Sequence, residues 1–265
     1  SARHSRRSGR RNDLIDDALM RQPEPEMLQT IKTVSGEIIR VAQEIAQKGL
    51  VVAAWGNVSA RLSAGDIGDS FGLEAKPASS PGTDLSAERV LLTPSGMDYQ
   101  KMQEADLVLT DLTGRIIQGQ RRPTTELSLH LAIYRQRPDI RAIVHTHSLY
   151  ASVLAVAGLP LPPVLDELAQ KLGGTVPLNE YAPSGTEELA ENTVKALGSG
   201  KAVLLANHGL IGTGETLEEA SLICQLVEKG AQVYILARGL GEPNCLNPAR
   251  VQELRKRHLD HYGQK

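Results

Sequence analysis

Arg141-Ala-Ile-Val-His-Thr-His-Ser148 is the stretch that decides how the chain folds and what it carries. Ala-Ile-Val predicts a short buried strand, and two histidines end it, one residue apart. On a strand, residues i and i+2 point to the same side, so His145 and His147 project together from its end. Imidazole is the commonest side-chain metal ligand, and a strand end holds it rigidly. A lone His-x-His is equally the mark of half-buried polar residues. The rest of the chain must supply a third ligand and an acid or base.

The bulk numbers limit the classes of function. A chain of 265 residues has room for a large buried core, and 41% hydrophobic residues make it globular. Its 29 Lys+Arg against 31 Asp+Glu call for neither nucleic acid nor an anionic membrane as partner. No apolar run reaches the ~18–20 residues of a membrane helix. Phe and Trp occur once each, which argues against a base-stacking platform. Cys224 and Cys245 have no metal spacing and form no disulfide framework. With no hydrophobic signal core at the start, a cytoplasmic protein is expected.

Outward from the histidine strand, the pattern alternates between periods. Residues 1–24 crowd Arg3, Arg6, Arg7, Arg10 and Arg11 without an apolar period. They are expected to be a disordered basic N-terminal tail, or else a basic arm for an acidic partner. From Glu26 to about Lys48, Leu28, Ile31, Val34, Ile38, Ala42 and Ile45 recur at three and four, which predicts an amphipathic helix stopped by Gly49. Trp55–Leu62 is a turn and a strand, 63–88 a long Gly/Ser/Pro-rich loop, and Val90–Thr93 the returning strand. Leu107–Thr110 and Arg115–Ile117 are further strands. Thr124 or Thr125 is expected to cap a helix that Pro138 ends. Helices are predicted over Leu149–Ala157, Asp166–Leu172, up to Leu197 after Ser184-Gly-Thr, and roughly Thr216–Ala237. Val176-Pro-Leu and Lys201–Ala206 are strands. Strands interspersed with helices predict a mixed sheet covered by helices on its faces. The main domain is expected over residues 25–240, with 241–265 as a C-terminal tail.

His208 also follows a buried strand, Lys201–Ala206, and can join His145 and His147. Three histidines leave one position open on zinc, which is the pattern of a catalytic site; alone, His208 before Gly209 is also an ordinary turn residue. Glu126 opens the helix before the histidine strand. It is either a first-turn Glu of a capping box or a metal ligand that doubles as general base. The turns Gly56-Asn57, Ser95-Gly96 and Thr124-Thr125 offer amides and hydroxyls. Converging, they make a phosphate site; separately, each is a plain turn. No Walker-type lysine loop occurs.

Taken in order, Gly56-Asn-Val-Ser59, Leu92-Thr-Pro-Ser-Gly96, Pro123-Thr-Thr-Glu126, His145-Thr-His147 and Asn207-His-Gly-Leu210 resemble the class II aldolase/adducin family. The resemblance covers roughly residues 26–240 and is nearest to the zinc aldolases that cleave fuculose phosphate. It implies His145, His147 and His208 as ligands of Zn2+ or another divalent metal, with Glu126 as fourth ligand and base. It implies Gly56, Asn57, Ser95, Gly96, Thr124 and Thr125 as the phosphate-holding residues. It also implies an α/β fold of three layers, αβα, with a central mixed, largely antiparallel sheet, and a homotetramer with active sites at subunit interfaces. The expected reaction is reversible retro-aldol cleavage of a small ketose 1-phosphate to dihydroxyacetone phosphate and an aldehyde.

The sequence departs from that pattern in two places. Ala54 stands where the family has a Thr, which removes one hydroxyl. The catalytic tyrosine of the fuculose-phosphate aldolases falls near Asp166 by spacing. Asp166 or Glu167 is therefore an acid/base candidate for dehydration, epimerisation or decarboxylation, or a first-turn acid of a short helix. Glu126 favours the aldolase, since the epimerases carry Asp there and the dehydratases no acid. Tyr181 and Tyr262 are further proton-donor candidates. An adducin-head-like interaction module lacks the metal ligands that this chain keeps.

Overall fold

The computed structural model describes residues 25–62 and 88–261. The basic stretch 1–24, residues 63–87 of the expected loop and Tyr262 lie outside them. Seven strands form one sheet: β1 (Asn57–Leu62), β2 (Arg89–Leu92), β3 (Val108–Asp111), β4 (Ile116–Gln118), β5 (Ala142–Thr146), β6 (Ala202–Leu205) and β7 (Gly209–Gly214). Their order is β4-β3-β2-β1-β5-β7-β6, and every pair of neighbours is antiparallel. Among the described residues, parallel pairing is limited to one isolated bridge, Leu178 to Leu204. The expected strand over Val176–Leu178 therefore forms only bridges.

Helices cover both faces. On one lie α1 (Pro25–Gln47), α3 (Leu149–Ala157), α4 (Asp166–Leu172) and α6 (Leu217–Arg238); on the other lie α2 (Leu127–Gln136) and α5 (Glu187–Leu197). The period of two sorts the strand residues between two cores. In β5, Ala142 and Val144 join the α1/α6 core, and Ile143 joins the α2/α5 core. In β1, Val58, Ala60 and Leu62 go to the first core, which leaves Asn57, Ser59 and Arg61 on the α2 side. All six β1 residues are buried, so that polar row must find partners inside the protein.

One strand was not expected. Gly209–Gly214, for which no element was predicted, is a fully buried strand between β5 and β6. Its glycines are packing residues. A Cβ at Gly212 would sit 2.6 Å from Cys224 Sγ and 2.8 Å from the Ala220 carbonyl, so α6 lies directly on bare backbone. At the other end of the chain, α7 (Pro248–His261) docks on α4. Val251 and Leu254 pack with Ala169, and Arg255 donates to the Lys171 carbonyl at 3.0 Å. Among the described residues, no helix is long and apolar enough to cross a membrane.

Candidate metal centre and active site

The centre forms where β1, β5 and the β6–β7 turn meet. His145 is the next-to-last residue of β5, wholly buried, in register with Asn57 on β1 and Ile211 on β7. Its Nδ1–H donates to the Leu210 carbonyl at 3.0 Å, which leaves Nε2 to face the other rings and Glu126. His147 lies just past the strand, its backbone N–H donating to Leu50 O at 3.1 Å. His208 comes from the β6–β7 turn, where Asn207 takes a left-handed φ of 54°. Gly209 lets that turn close against β5, since a Cβ there would lie 2.4 Å from the Thr146 carbonyl.

The three rings stand nearly perpendicular to one another, with centroids 4.7, 4.8 and 4.9 Å apart. Their ligand atoms all lie within 4.8 Å of each other, and Nε2 of His145 and His147 are 2.8 Å apart. Glu126 reaches the same point, with Oε2 3.0 Å from His145 Nε2 and Oε1 3.3 Å from His208 Nε2. Burial, then the neighbouring imidazoles, drives His147 down to about 3 and His208 to about 4. Burial opposes the charge on Glu126, but His145 beside it, then His208 and Asn57, hold its carboxyl well below the usual carboxylate range. For His145 burial works against protonation, and the Glu126 carboxylate outweighs it, moving this ring upward. Bare imidazole nitrogens facing one another and a carboxylate repel unless positive charge lies between them. That donor set, one carboxylate and three neutral imidazoles, fits a divalent cation.

A cleft of about 800 Å³ opens in front of the centre. Gly56, Asn57, Ser95, Gly96, Thr124 and Thr125 all line it together with Glu126, His147 and His208. The turns are pinned side by side: Ser95 N–H donates to Arg122 O at 3.0 Å and Thr124 N–H to Thr93 O at 3.2 Å. Gly56 has φ 150°, and a Cβ there would meet Val51 Cγ1 at 2.5 Å and His145 O at 2.9 Å. Only glycine lets this turn lie against the histidine strand.

The family model for the Class II Aldolase and Adducin N-terminal domain matches residues 36–235. The chain is 38% identical to a 5-deoxy-D-ribulose 1-phosphate aldolase of Bacillus thuringiensis serovar kurstaki, over 66% of this chain and 81% of that one. It is 35% identical to the 5-methylthioribulose-1-phosphate/5-deoxyribulose-1-phosphate aldolase of Rhodospirillum rubrum, over 67% of this chain and 80% of that one. A solved L-fuculose 1-phosphate aldolase superposes with a TM-score of 0.73 at 33% identity, covering 85% of this chain and 95% of its own. This chain belongs to the class II aldolase and adducin family.

Within this class II aldolase fold, the sequence-predicted residues divide cleanly. The three histidines, Glu126 and the three polar turns share one cleft. Glu126 is no capping-box residue. It occupies the N-cap of α2 without a side-chain cap bond, so its carboxylate is free to face the cleft. Thr124 does serve the turn, its hydroxyl accepting the Glu126 N–H at 3.3 Å. Asp166 and Glu167 are not among the residues lining this cleft. They are first-turn acids of α4, and Glu167 pairs with Lys229 of α6 at 2.7 Å. Tyr181 lines the rim, 61% exposed.

The sequence reading missed two groups. Ser184, read as a helix-capping residue, donates its hydroxyl to Glu126 Oε1 at 3.1 Å. Its place before Gly185, which takes φ 80°, was the available signal for a turn that reaches back to the cleft. Trp55 lines the cleft beside His147, with ring centroids 6.2 Å apart.

Proposed function

We propose that the protein is a zinc-dependent aldolase that cleaves a small ketose 1-phosphate to dihydroxyacetone phosphate and an aldehyde. The observation that carries this is the seat of Glu126. Its two carboxylate oxygens lie 3.0 and 3.3 Å from Nε2 of His145 and His208, at the floor of a cleft walled by three donor-rich turns. His145, His147, His208 and Glu126 would hold the cation. When bound, the cation supplies Lewis acidity toward the ketone and hydroxyl oxygens of the substrate.

The chain's own residues supply the rest. Gly56, Asn57, Ser95, Gly96, Thr124 and Thr125 present amides and hydroxyls to the phosphate. Glu126 moves the proton. Retro-aldol cleavage removes a proton from the hydroxyl that becomes the aldehyde and leaves an electron pair on the carbon beside the ketone. Glu126 takes the one proton and returns it to that carbon, so nothing is left over. Neither a redox cofactor nor a lysine Schiff base is required. The names of the relatives, which act on deoxyribulose, methylthioribulose and fuculose phosphates, support this substrate class.

The proposal extends to a homotetramer with active sites at subunit interfaces. Support comes from α3, which starts two residues after His147. Its Leu149, Val153 and Val156 are 64%, 43% and 65% exposed, at helical spacing along one stripe. Sedimentation of the purified chain should give a species of four chains; a monomer at micromolar concentration would remove this part.

The deciding assay incubates the zinc-loaded chain with ketose 1-phosphates and follows dihydroxyacetone phosphate. Release is expected with 5-deoxyribulose or fuculose 1-phosphate. Consumption of substrate without that product would favour an epimerase, dehydratase or decarboxylase. A chain that holds less than about a tenth of an equivalent of any divalent metal would favour a non-catalytic module.

A further inference from the structure

Helix α2 and strand β1 face each other with matched polar rows. Glu126, His130 and Tyr134 recur every four residues; Asn57, Ser59 and Arg61 recur every two. None of the six is more than 6% exposed. They join in one line. Asn57 Nδ2 lies 2.9 Å from Glu126 Oε2, and Asn57 Oδ1 contacts His130 Nε2. His130 Nδ1 lies 2.7 Å from Ser59 Oγ, which lies 2.9 Å from the Tyr134 hydroxyl. At the far end, Arg61 donates to the Tyr134 carbonyl and covers its ring at 5.0 Å.

The chemistry of each group fixes where the protons sit. An ionised carboxylate only accepts, so Asn57 must turn its NH2 toward Glu126. Its carbonyl oxygen, also only an acceptor, then faces His130 Nε2, which must carry a hydrogen. Burial keeps His130 neutral, down to about 3, so its Nδ1 is bare. Ser59 therefore donates to Nδ1, and the single hydrogen of the Tyr134 hydroxyl lies between Ser59 Oγ at 2.9 Å and the Ser59 carbonyl at 3.1 Å. From Ser59 to Asn57 the donors point toward Glu126, and the Tyr134 hydrogen is shared with the Ser59 carbonyl.

An amide has two nearly isosteric orientations, and something outside it must choose between them. We propose that His130 is a positioning residue: as the Nε2–H tautomer, with Ser59 donating to its Nδ1, it locks the Asn57 amide with NH2 toward Glu126. The lock sets the direction in which the Glu126 carboxylate meets the cleft. It also leaves the second N–H of the Asn57 amide for the cleft that Asn57 lines. The catalytic consequence rests on Glu126 being the base of the proposed aldolase; the tautomer does not.

The test uses the full zinc-loaded chain with 15N-labelled histidine. A spectrum correlating ring nitrogens with ring carbon-bound protons should show His130 Nε2 as an N–H nitrogen and Nδ1 as a bare one. The reverse tautomer, or a doubly protonated ring, overturns the proposal. In kinetics, His130→Leu should lower kcat by roughly 10- to 100-fold with metal content retained. His130→Gln, which keeps a donor toward Asn57, should recover most of that. Equal losses in both variants, or an unchanged kcat in both, would reduce His130 to a core residue and sink the lock. Should His130→Leu fail to fold, Ser59→Ala replaces it: removing the donor to Nδ1 should let the Nδ1–H tautomer appear, and an unmoved spectrum counts against the lock. A wild type that releases no dihydroxyacetone phosphate sinks the aldolase instead, and leaves the nitrogen spectrum to judge the relay.

Discussion

Two buried polar clusters share one face of the sheet and solve opposite problems. Along α2 and β1, His130 finds a donor for one nitrogen and an acceptor for the other, and the line closes within the protein. At the end of β5, His145, His147 and His208 turn lone pairs toward each other and toward Glu126. The first cluster is complete without any ligand; the second requires positive charge at its centre. Burial alone does not distinguish them, since His130 and His145 are equally inaccessible. The direction of the lone pairs does. A histidine with both nitrogens served is scaffold, and one whose free nitrogen meets other acceptors is a candidate ligand.

The largest test of that contrast removes one member of the open cluster. His145→Ala should abolish bound zinc and turnover together, with folding largely retained. Metal measured by atomic absorption should fall from about one equivalent per chain to under a tenth. Unchanged metal content in His145→Ala would break the contrast at its root. Glu126→Gln comes next. It keeps the shape of the side chain and removes the base, so metal should stay while kcat falls by roughly a hundredfold or more. Wild-type rates in Glu126→Gln would exclude it as the proton carrier.

A smaller effect separates the clusters by pH. Unfolded His130 takes a proton near 6.5, whereas in the fold burial holds protonation off to about 3. The unfolded state therefore binds more protons as pH falls through this window. The stability tied to the neutral ring is fully present above about 6.5 and is lost on the way down to about 3. The cost is about 1.4 kcal/mol for each pH unit within it. His147 and His208 add the same sign in metal-free protein, so the comparison must be with His130→Gln. Urea unfolding of both chains without metal, between pH 6.5 and 5, stays above the range where Glu126 contributes. The variant should be less pH-sensitive by that amount per unit. Parallel curves would mean that His130 is not held neutral.

Much of this was legible in the sequence because it followed a period. Ala142, Ile143 and Val144 alternate between two cores as the strand pattern predicts, and α1, α3, α4 and α6 begin and end within a residue or so of where the periodicity places them. The three histidines proposed as ligands were legible because each follows an apolar run. What stayed hidden depends on distance between elements. β7 looks like loop, since Gly209 and Gly212 are dictated by the approach of Thr146 and of α6, which a single chain segment does not reveal. Ser184 resembles a helix-capping residue until its turn folds back on Glu126. The α2–β1 relay crosses two periods, four along the helix and two along the strand. Neither row signals anything until the register pairs them.

The smallest expected effect concerns the acids that the sequence offered as alternatives. Glu167 pairs with Lys229 at 2.7 Å on the outside of α4 and α6, and neither Asp166 nor Glu167 lines the cleft of its own chain. The hydrogen bond from Lys229, with its charge as a smaller cause, pulls the Glu167 carboxyl below its ordinary value, which suits a charged surface partner and not a proton donor near neutral pH. Exposed pairs of this kind contribute roughly 0–1 kcal/mol to stability. Glu167→Gln should therefore leave kcat and KM within about twofold of wild type, and urea midpoints nearly unmoved. A tenfold or greater fall in kcat with metal and fold intact would overturn that assignment. It would mean that Glu167 reaches a reacting group from outside its own cleft, as only a second subunit could arrange, and the open cluster at β5 would then be one half of a site shared between chains.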